Sequence, residues 1–169
     1  MKYNKIVLIG MMGSGKSSIS KLLAEKLNFN LFELDEIFEK QESITIKEFF
    51  EIFKEEAFRK KETEILINSI KKESIVLSTG GGIILKKENR DLLFNDEILT
   101  IYLKANVETI YKRIKNDNSR PLLQVENPKK EIEKILNARK KYYNLAKIQI
   151  CTDNKTKEEI IEEILKWIK

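Results

Sequence analysis

The stretch Gly10-Met11-Met12-Gly13-Ser14-Gly15-Lys16-Ser17 decides how the rest of this chain is read. It fits the phosphate-loop pattern G-x-x-x-x-G-K-[ST] in full. Ahead of it, Lys5-Ile6-Val7-Leu8-Ile9 is a β-branched apolar run of strand length, and behind it Ile19, Leu22, Leu23 and Leu27 recur at helical spacing. A strand, a glycine-rich loop and a helix in that order bring backbone N–H groups to the positive end of the helix, where they hold anionic oxygens. Glycines allow the positive φ that this convergence needs. The spacing then directs Lys16 to the β- and γ-phosphates of a nucleotide and the Ser17 hydroxyl to Mg²⁺. A glycine-rich turn that only caps a helix is the plainer alternative.

Working outward, 169 residues with 41% hydrophobic content suffice for one domain with one core. The formal charge of +5 is a small excess of 32 basic over 27 acidic residues, and the two are intermixed. With no basic arm, a small anionic substrate accounts for the excess, and nucleic acid is not expected as a partner. Cys151 is the single cysteine, so an intrachain disulfide is excluded; it is expected to pack at a strand end in a reducing cytosol. No stretch reaches membrane-spanning length, and the N-terminal apolar run leads straight into the loop, so a cytoplasmic protein is expected. The chain contains no histidine. Any general base is therefore a carboxylate, a lysine or the substrate itself.

Residues 28–35 alternate apolar and polar like a short strand with carboxylates at its C-terminal end, the side on which ligands bind in open α/β sheets. From about Thr45 to Ile70 the pattern is helical, with Thr45 and Glu48 spaced as a capping box and Ile46, Phe49, Phe50, Phe53 and Ala57 expected on the buried face. A strand over 74–79 ends in Gly80-Gly81-Gly82, bare backbone suited to a close approach. A further strand over 98–103 precedes a helix striped by Val107, Ile110, Tyr111 and Ile114. Residues 116–127 are polar, proline-broken and without period, the length and character of a mobile lid. Asn127 and Pro128 open another helix as N-cap and first residue, striped by Ile132, Ile135, Leu136, Tyr142 and Tyr143. A strand over 147–151 and a helix with a Thr156/Glu159 capping box complete the chain. Strands separated by helices throughout predict a parallel sheet covered on both faces.

The ordered set GMMGSGKS, Glu33 and Asp35 at a strand end, Phe58-Arg59 in a long helix, Gly80-Gly81-Gly82, Arg120-Pro121-Leu122-Leu123 and Arg139-x-x-x-Tyr143 resembles the shikimate kinases over nearly the whole chain. The resemblance implies a three-layer α/β/α fold like that of the nucleoside-monophosphate kinases: a five-stranded parallel sheet, substrate-binding helices at about 35–70 and a lid at about 116–127. It implies transfer of the ATP γ-phosphoryl group to the 3-hydroxyl of shikimate, on the way to chorismate and the aromatic amino acids, by a monomer using ATP and Mg²⁺. Gly13, Ser14, Gly15, Lys16, Ser17 and Ser18 would hold the nucleotide. Asp35 would contact the shikimate hydroxyls and accept a proton, although as an Asp it also suits the cap of a helix over 36–40.

Arg59 and Arg139 would bind the substrate carboxylate, for which the guanidinium fork is suited. A surface i,i+3 pair with Glu62 is the alternative for Arg59. A buried carboxylate partner is the alternative for Arg139, which falls on an apolar stripe. Gly81 would approach the substrate with its backbone, or serve only as a helix-entry turn. Arg120 would lie over the phosphates in the closed lid, or be a solvated loop arginine. Arg113 and Asn154 match positions on the adenine side, where an exposed arginine and a polar loop also need no function. In one place the chain departs from the pattern: Glu33 stands where the family has Asp. The longer carboxylate is expected to alter the affinity or preference for Mg²⁺ without abolishing binding. A kinase for a gluconate-like acid or a nucleoside monophosphate, or an ATP-binding regulatory module without catalysis, are the competing functional readings.

Overall fold

The computed structural model describes residues 3–116 and 125–168. Five strands form one parallel sheet in the order β2-β3-β1-β4-β5: β1 Lys5–Ile9, β2 Asn30–Glu33, β3 Ile75–Ser78, β4 Leu99–Lys104 and β5 Ile148–Cys151. Helices α1 (Lys16–Leu27), α2 (Leu34–Glu42), α3 (Ile46–Ile70), α4 (Lys87–Leu93), α5 (Val107–Ile114), α6 (Pro128–Tyr143) and α7 (Lys157–Ile168) connect them, and a 3₁₀ turn spans Ile83–Leu85. The first strand lies in the centre, paired with β3 on one side and β4 on the other. The phosphate loop that follows it therefore opens at the carboxyl edge, where the strand order reverses.

The alternation of strand side chains divides the core into two layers. Val7 and Ile9, with Leu77 and Tyr102, face the packed side chains of α2, α3 and α6. Ile6 and Leu8, with Val76, Ile101, Ile148 and Ile150, face Ile19 and Leu23 of α1 and Ile160, Ile161 and Ile164 of α7. A third cluster, Met11, Ala105, Ile110, Ile114 and Ile132, ties the phosphate loop to α5 and α6. The inner strands β1, β3 and β4 are buried on both faces and therefore read as nearly continuous apolar runs, whereas the outer β2 and β5 keep exposed positions. No helix among the described residues is long and apolar enough to cross a membrane.

The expected caps form: Thr45 and Glu48 make a reciprocal capping box on α3, Asn127 accepts from the Lys130 N–H at 3.1 Å, and Thr156 and Glu159 close α7 in the same way. Four expectations need correcting. Helix α3 is kinked at Lys54, whose φ of 67° and ψ of 174° are not helical. The kink resets the buried face, so Phe53 is 52% exposed and Phe58 lies inside. The second strand stops at Glu33, and the buried Leu34 starts α2; Asp35 thus sits in its first turn and Glu33 occupies the cap position. Cys151 is exposed, with Sγ 3.3 Å from Asp153 Oδ2, because the strand end it occupies points it outward. Finally, the short α4 carries no long apolar period and was not expected. Arg120 and most of the expected lid lie outside the described residues.

Candidate active site

The phosphate loop bends through three left-handed glycines, Gly10 (φ 148°), Gly13 (φ 73°) and Gly15 (φ 101°). At Gly10 the space is as restrictive as the angle: a Cβ there would stand 2.6 Å from the Leu103 carbonyl oxygen and 2.9 Å from Ser14 Oγ. Lys16 curls back over the loop, its Nζ donating to the carbonyls of Gly10 at 2.9 Å and Met11 at 3.0 Å. The ammonium is thereby held within the loop, and Lys16 as a whole is 9% exposed. Ser20 and the Ile19 N–H bond back to Ser17 and Gly15, starting α1 immediately behind the loop.

A cavity of about 220 Å³ opens above this loop and is lined by Lys16, Ser17, Glu33, Asp35, Thr79 and the glycine turn, among others. The Ser17 hydroxyl lies within hydrogen-bonding reach of the Glu33 carboxylate. Burial raises the Glu33 pKa above its ordinary value, and the acidic neighbours Glu36 and Asp35 add to this, while Ser17 and Lys16 pull it down. The hydroxyl and two carboxylates make an all-oxygen donor set of the kind Mg²⁺ accepts. The loop residues Gly13, Ser14, Gly15 and Ser18 also border a second cavity of about 450 Å³, closed by Arg113, Lys155 and Thr156.

The three consecutive glycines each make room for a different group. A Cβ on Gly80 would stand 2.8 Å from Glu62 Oε1 and 3.2 Å from Asp35 Oδ1. On Gly81 it would stand 3.3 Å from the Gly10 carbonyl oxygen, 3.5 Å from the Met12 nitrogen and 3.5 Å from Arg139 Nη1. On Gly82 it would overlap the Arg59 guanidinium. None of the three has the left-handed φ seen in the phosphate loop; at Gly80 and Gly82 close approach alone calls for glycine, whereas at Gly81 a Cβ would be only slightly crowded. Gly81 lies just ahead of the 3₁₀ turn and against the Gly10 carbonyl, Met12 and Arg139.

Arg59 reaches this turn from α3 and Arg139 from α6. Arg59 Nη1 donates to Glu62 Oε2 at 2.7 Å, and Nη2 and Nε reach Glu55 Oε1 at 3.2 Å. The i,i+3 pair with Glu62 therefore exists, but it is not a surface pair: Glu62 is 3% exposed, and its Oε1 makes no hydrogen bond among the described residues. Burial raises the Glu62 pKa, opposed chiefly by Arg59 and more weakly by Arg139. Arg139 is half-buried, as its place on the apolar stripe predicts. Its guanidinium sits against Gly81 and within hydrogen-bonding reach of the Tyr143 oxygen.

Arg113 donates to the Gly13 carbonyl at 3.1 Å and to Thr152 through its hydroxyl and carbonyl at 3.0 Å each. It therefore braces the phosphate loop against the end of β5 as well as lining the second cavity. Asn154 is left-handed at φ 55° and does not line that cavity; its successors Lys155 and Thr156 do. The structure thus brings together Lys16, Ser17, Glu33, Asp35, Arg59, Gly81 and Arg139, and it places Arg113 across the loop from them. Reading by sequence underrated Glu62, whose burial no local pattern signals, and the outer glycines Gly80 and Gly82. The triple-glycine signal was there to be used for all three.

A family model for shikimate kinase matches residues 12–169. A shikimate kinase of Thermodesulfovibrio yellowstonii is 42% identical over 161 residues, which span 95% of this chain and 92% of that protein. The solved shikimate kinase of Acinetobacter baumannii, in complex with shikimate, superposes with a TM-score of 0.92 at 34% identity, over 98% of this chain and 93% of that one. A gluconokinase of Sinorhizobium meliloti, at 16% identity and a TM-score of 0.61, shares the fold alone. The chain belongs to the shikimate kinase family.

Proposed function

We propose that this chain transfers the γ-phosphoryl group of ATP to the 3-hydroxyl of shikimate, giving shikimate 3-phosphate and ADP, in the route to chorismate and the aromatic amino acids. The observation that carries the acceptor assignment is the meeting of two arginines from different helices, Arg59 at Gly82 and Arg139 at Gly81, beside the phosphate-loop cavity. Two guanidinium forks on one turn suit a carboxylate, and a carboxylic acid so held presents its hydroxyls toward Asp35. The reacting hydroxyl oxygen bonds to the γ-phosphorus as the bond to the ADP oxygen breaks, and the hydroxyl proton passes to Asp35. In a chain without histidine, a carboxylate is the natural group for this.

Protein chemistry adds little beyond position and charge in such a transfer. The phosphate-loop amides and Lys16 hold the phosphates, Arg120 of the lid spreads the developing charge, and the second cavity beside Arg113 accommodates the base. Ser17 and Glu33 would hold Mg²⁺, which would supply neutralisation of the phosphate charge. On this reading the protein acts as a cytoplasmic monomer on two small molecules. The test is ADP release from Mg·ATP with shikimate, gluconate or AMP as acceptor. Shikimate-dependent turnover is expected, with gluconate and AMP near the acceptor-free rate. Preferential turnover of either alternative would remove the shikimate assignment and leave the kinase fold in place.

A further inference from the structure

Tyr143 closes the Arg-x-x-x-Tyr pattern of α6. It is fully buried at the end of α6, four residues beyond Arg139 and hence on the same helical face. Its hydroxyl donates to the Gly81 carbonyl oxygen at 2.6 Å. A phenol has a single proton to give, so the remaining lone pairs of that oxygen are acceptors. The Arg139 guanidinium is within reach of them. From its other side the ring is stacked on Tyr102 of β4, with centroids 4.8 Å apart and planes 19° from parallel. Burial pushes the Tyr143 pKa up to about 12, which keeps the group a donor and excludes it as a base near neutral pH.

We propose that Tyr143 is a positioning residue for the substrate carboxylate, fixing at once the direction of the Arg139 guanidinium and the tilt of the Gly81–Gly82 peptide against Arg59. The inference rests on the reading that a carboxylic acid, shikimate, is the acceptor. A peptide group is planar, so a carbonyl held at one point restrains the whole unit as far as the next Cα. Here the next Cα is that of Gly82, on which the Arg59 guanidinium is packed so closely that a Cβ would overlap it. One phenol thus governs the relation between two arginines that arrive on separate helices. Gripping one carboxylate with both depends on that relation to a fraction of an ångström.

Tyr143→Phe keeps the ring and the stack but removes the donor to Gly81 and the acceptor for Arg139. Positioning predicts that KM for shikimate rises about tenfold, the worth of a hydrogen bond to a charged group. The kcat stays within about twofold, because a carboxylate gripped equally in ground and transition states affects binding and not the step. KM for ATP is expected to remain at the wild-type value, and Tyr102→Phe, which alters the other member of the stack, is expected to leave the shikimate KM unmoved. An unchanged shikimate KM in Tyr143→Phe would overturn the proposal. So would a parallel rise in the ATP KM, an equal effect from Tyr102→Phe, or a Tyr143→Phe chain that does not fold, each of which marks a structural role. Failure of the underlying reading is recognised separately, since there the wild-type chain itself turns over no shikimate.

Discussion

Replacing Arg59 by alanine strands a carboxylate where water cannot reach it. Nη1 of Arg59 is 2.7 Å from Glu62 Oε2, with 14% and 3% of the two side chains exposed. Its second partner, Glu55, is 61% exposed and contributes about 0–1 kcal/mol at most. The burden of the change therefore falls on Glu62. Removing one member of a buried pair costs about 3–5 kcal/mol, because the remaining charge is left uncompensated. Protonation is the escape open to Glu62, whose pKa burial already holds above 4.5 against the pull of Arg59. Without Arg59 that pKa rises further. A carboxyl whose pKa is raised on folding contributes stability that is full below its unfolded pKa and lost as pH climbs through the folded value. The deficit of Arg59→Ala is accordingly greatest near pH 8 and shrinks toward pH 5.

For a chain of this length, about 3 kcal/mol corresponds to a fall in Tm of roughly 6–12 °C. Thermal and urea melts of the wild type, Arg59→Ala and Arg59→Ala/Glu62→Gln across pH 5 to 8 measure it. The double variant has no charge to strand, so it regains at least half of the deficit at pH 8, while both variants bind shikimate weakly. A deficit below about 1 kcal/mol that does not change with pH would refute the reasoning, since that is the behaviour of a solvated surface pair.

Three further outcomes follow from the same geometry. Lys16→Ala lowers kcat by about 10²-fold or more, the scale of losing one preorganised charge on the transferring group, with calorimetric shikimate affinity within about twofold of wild type. Gly80→Ala puts a methyl 2.8 Å from Glu62 Oε1, on a side chain only 3% exposed, so melts show a loss of about 1–3 kcal/mol from overpacking and shikimate kcat/KM falls about tenfold. Glu33→Asp draws the carboxylate back by one methylene beside Ser17 and changes the Mg²⁺ concentration for half-maximal rate by more than about twofold; an unchanged Mg²⁺ titration would separate Glu33 from the metal.

The phosphate loop, the sheet and the helix caps were legible because each is written in a few adjacent residues. Gly13 and Gly15 are left-handed where the pattern demands it, and Thr45, Asn127 and Thr156 cap where their spacing puts them. What escaped depends on contacts between distant elements. The stripe through Phe53 assumed an unbroken α3, whereas the turn at Lys54 rotates the face that packs. The partner of Arg59 was visible as Glu62 at i,i+3, but its burial comes from the glycine turn closing over it, a tertiary event with no local signature. Tyr143 likewise sits on the apolar stripe of α6, and its hydroxyl's contacts with Gly81 and Arg139 arise only where α6 meets the glycine turn.

Comparing shikimate with its methyl ester as acceptors for Mg·ATP tests the central claim most directly, because the ester keeps every hydroxyl and, with one added methyl, removes the charge that Arg59 and Arg139 are held to grip. Two charge-assisted contacts at about 1.5–3 kcal/mol each predict a kcat/KM for the ester at least about 10²-fold below that of shikimate. Equal turnover of acid and ester would contradict the account, placing the two arginines outside substrate recognition.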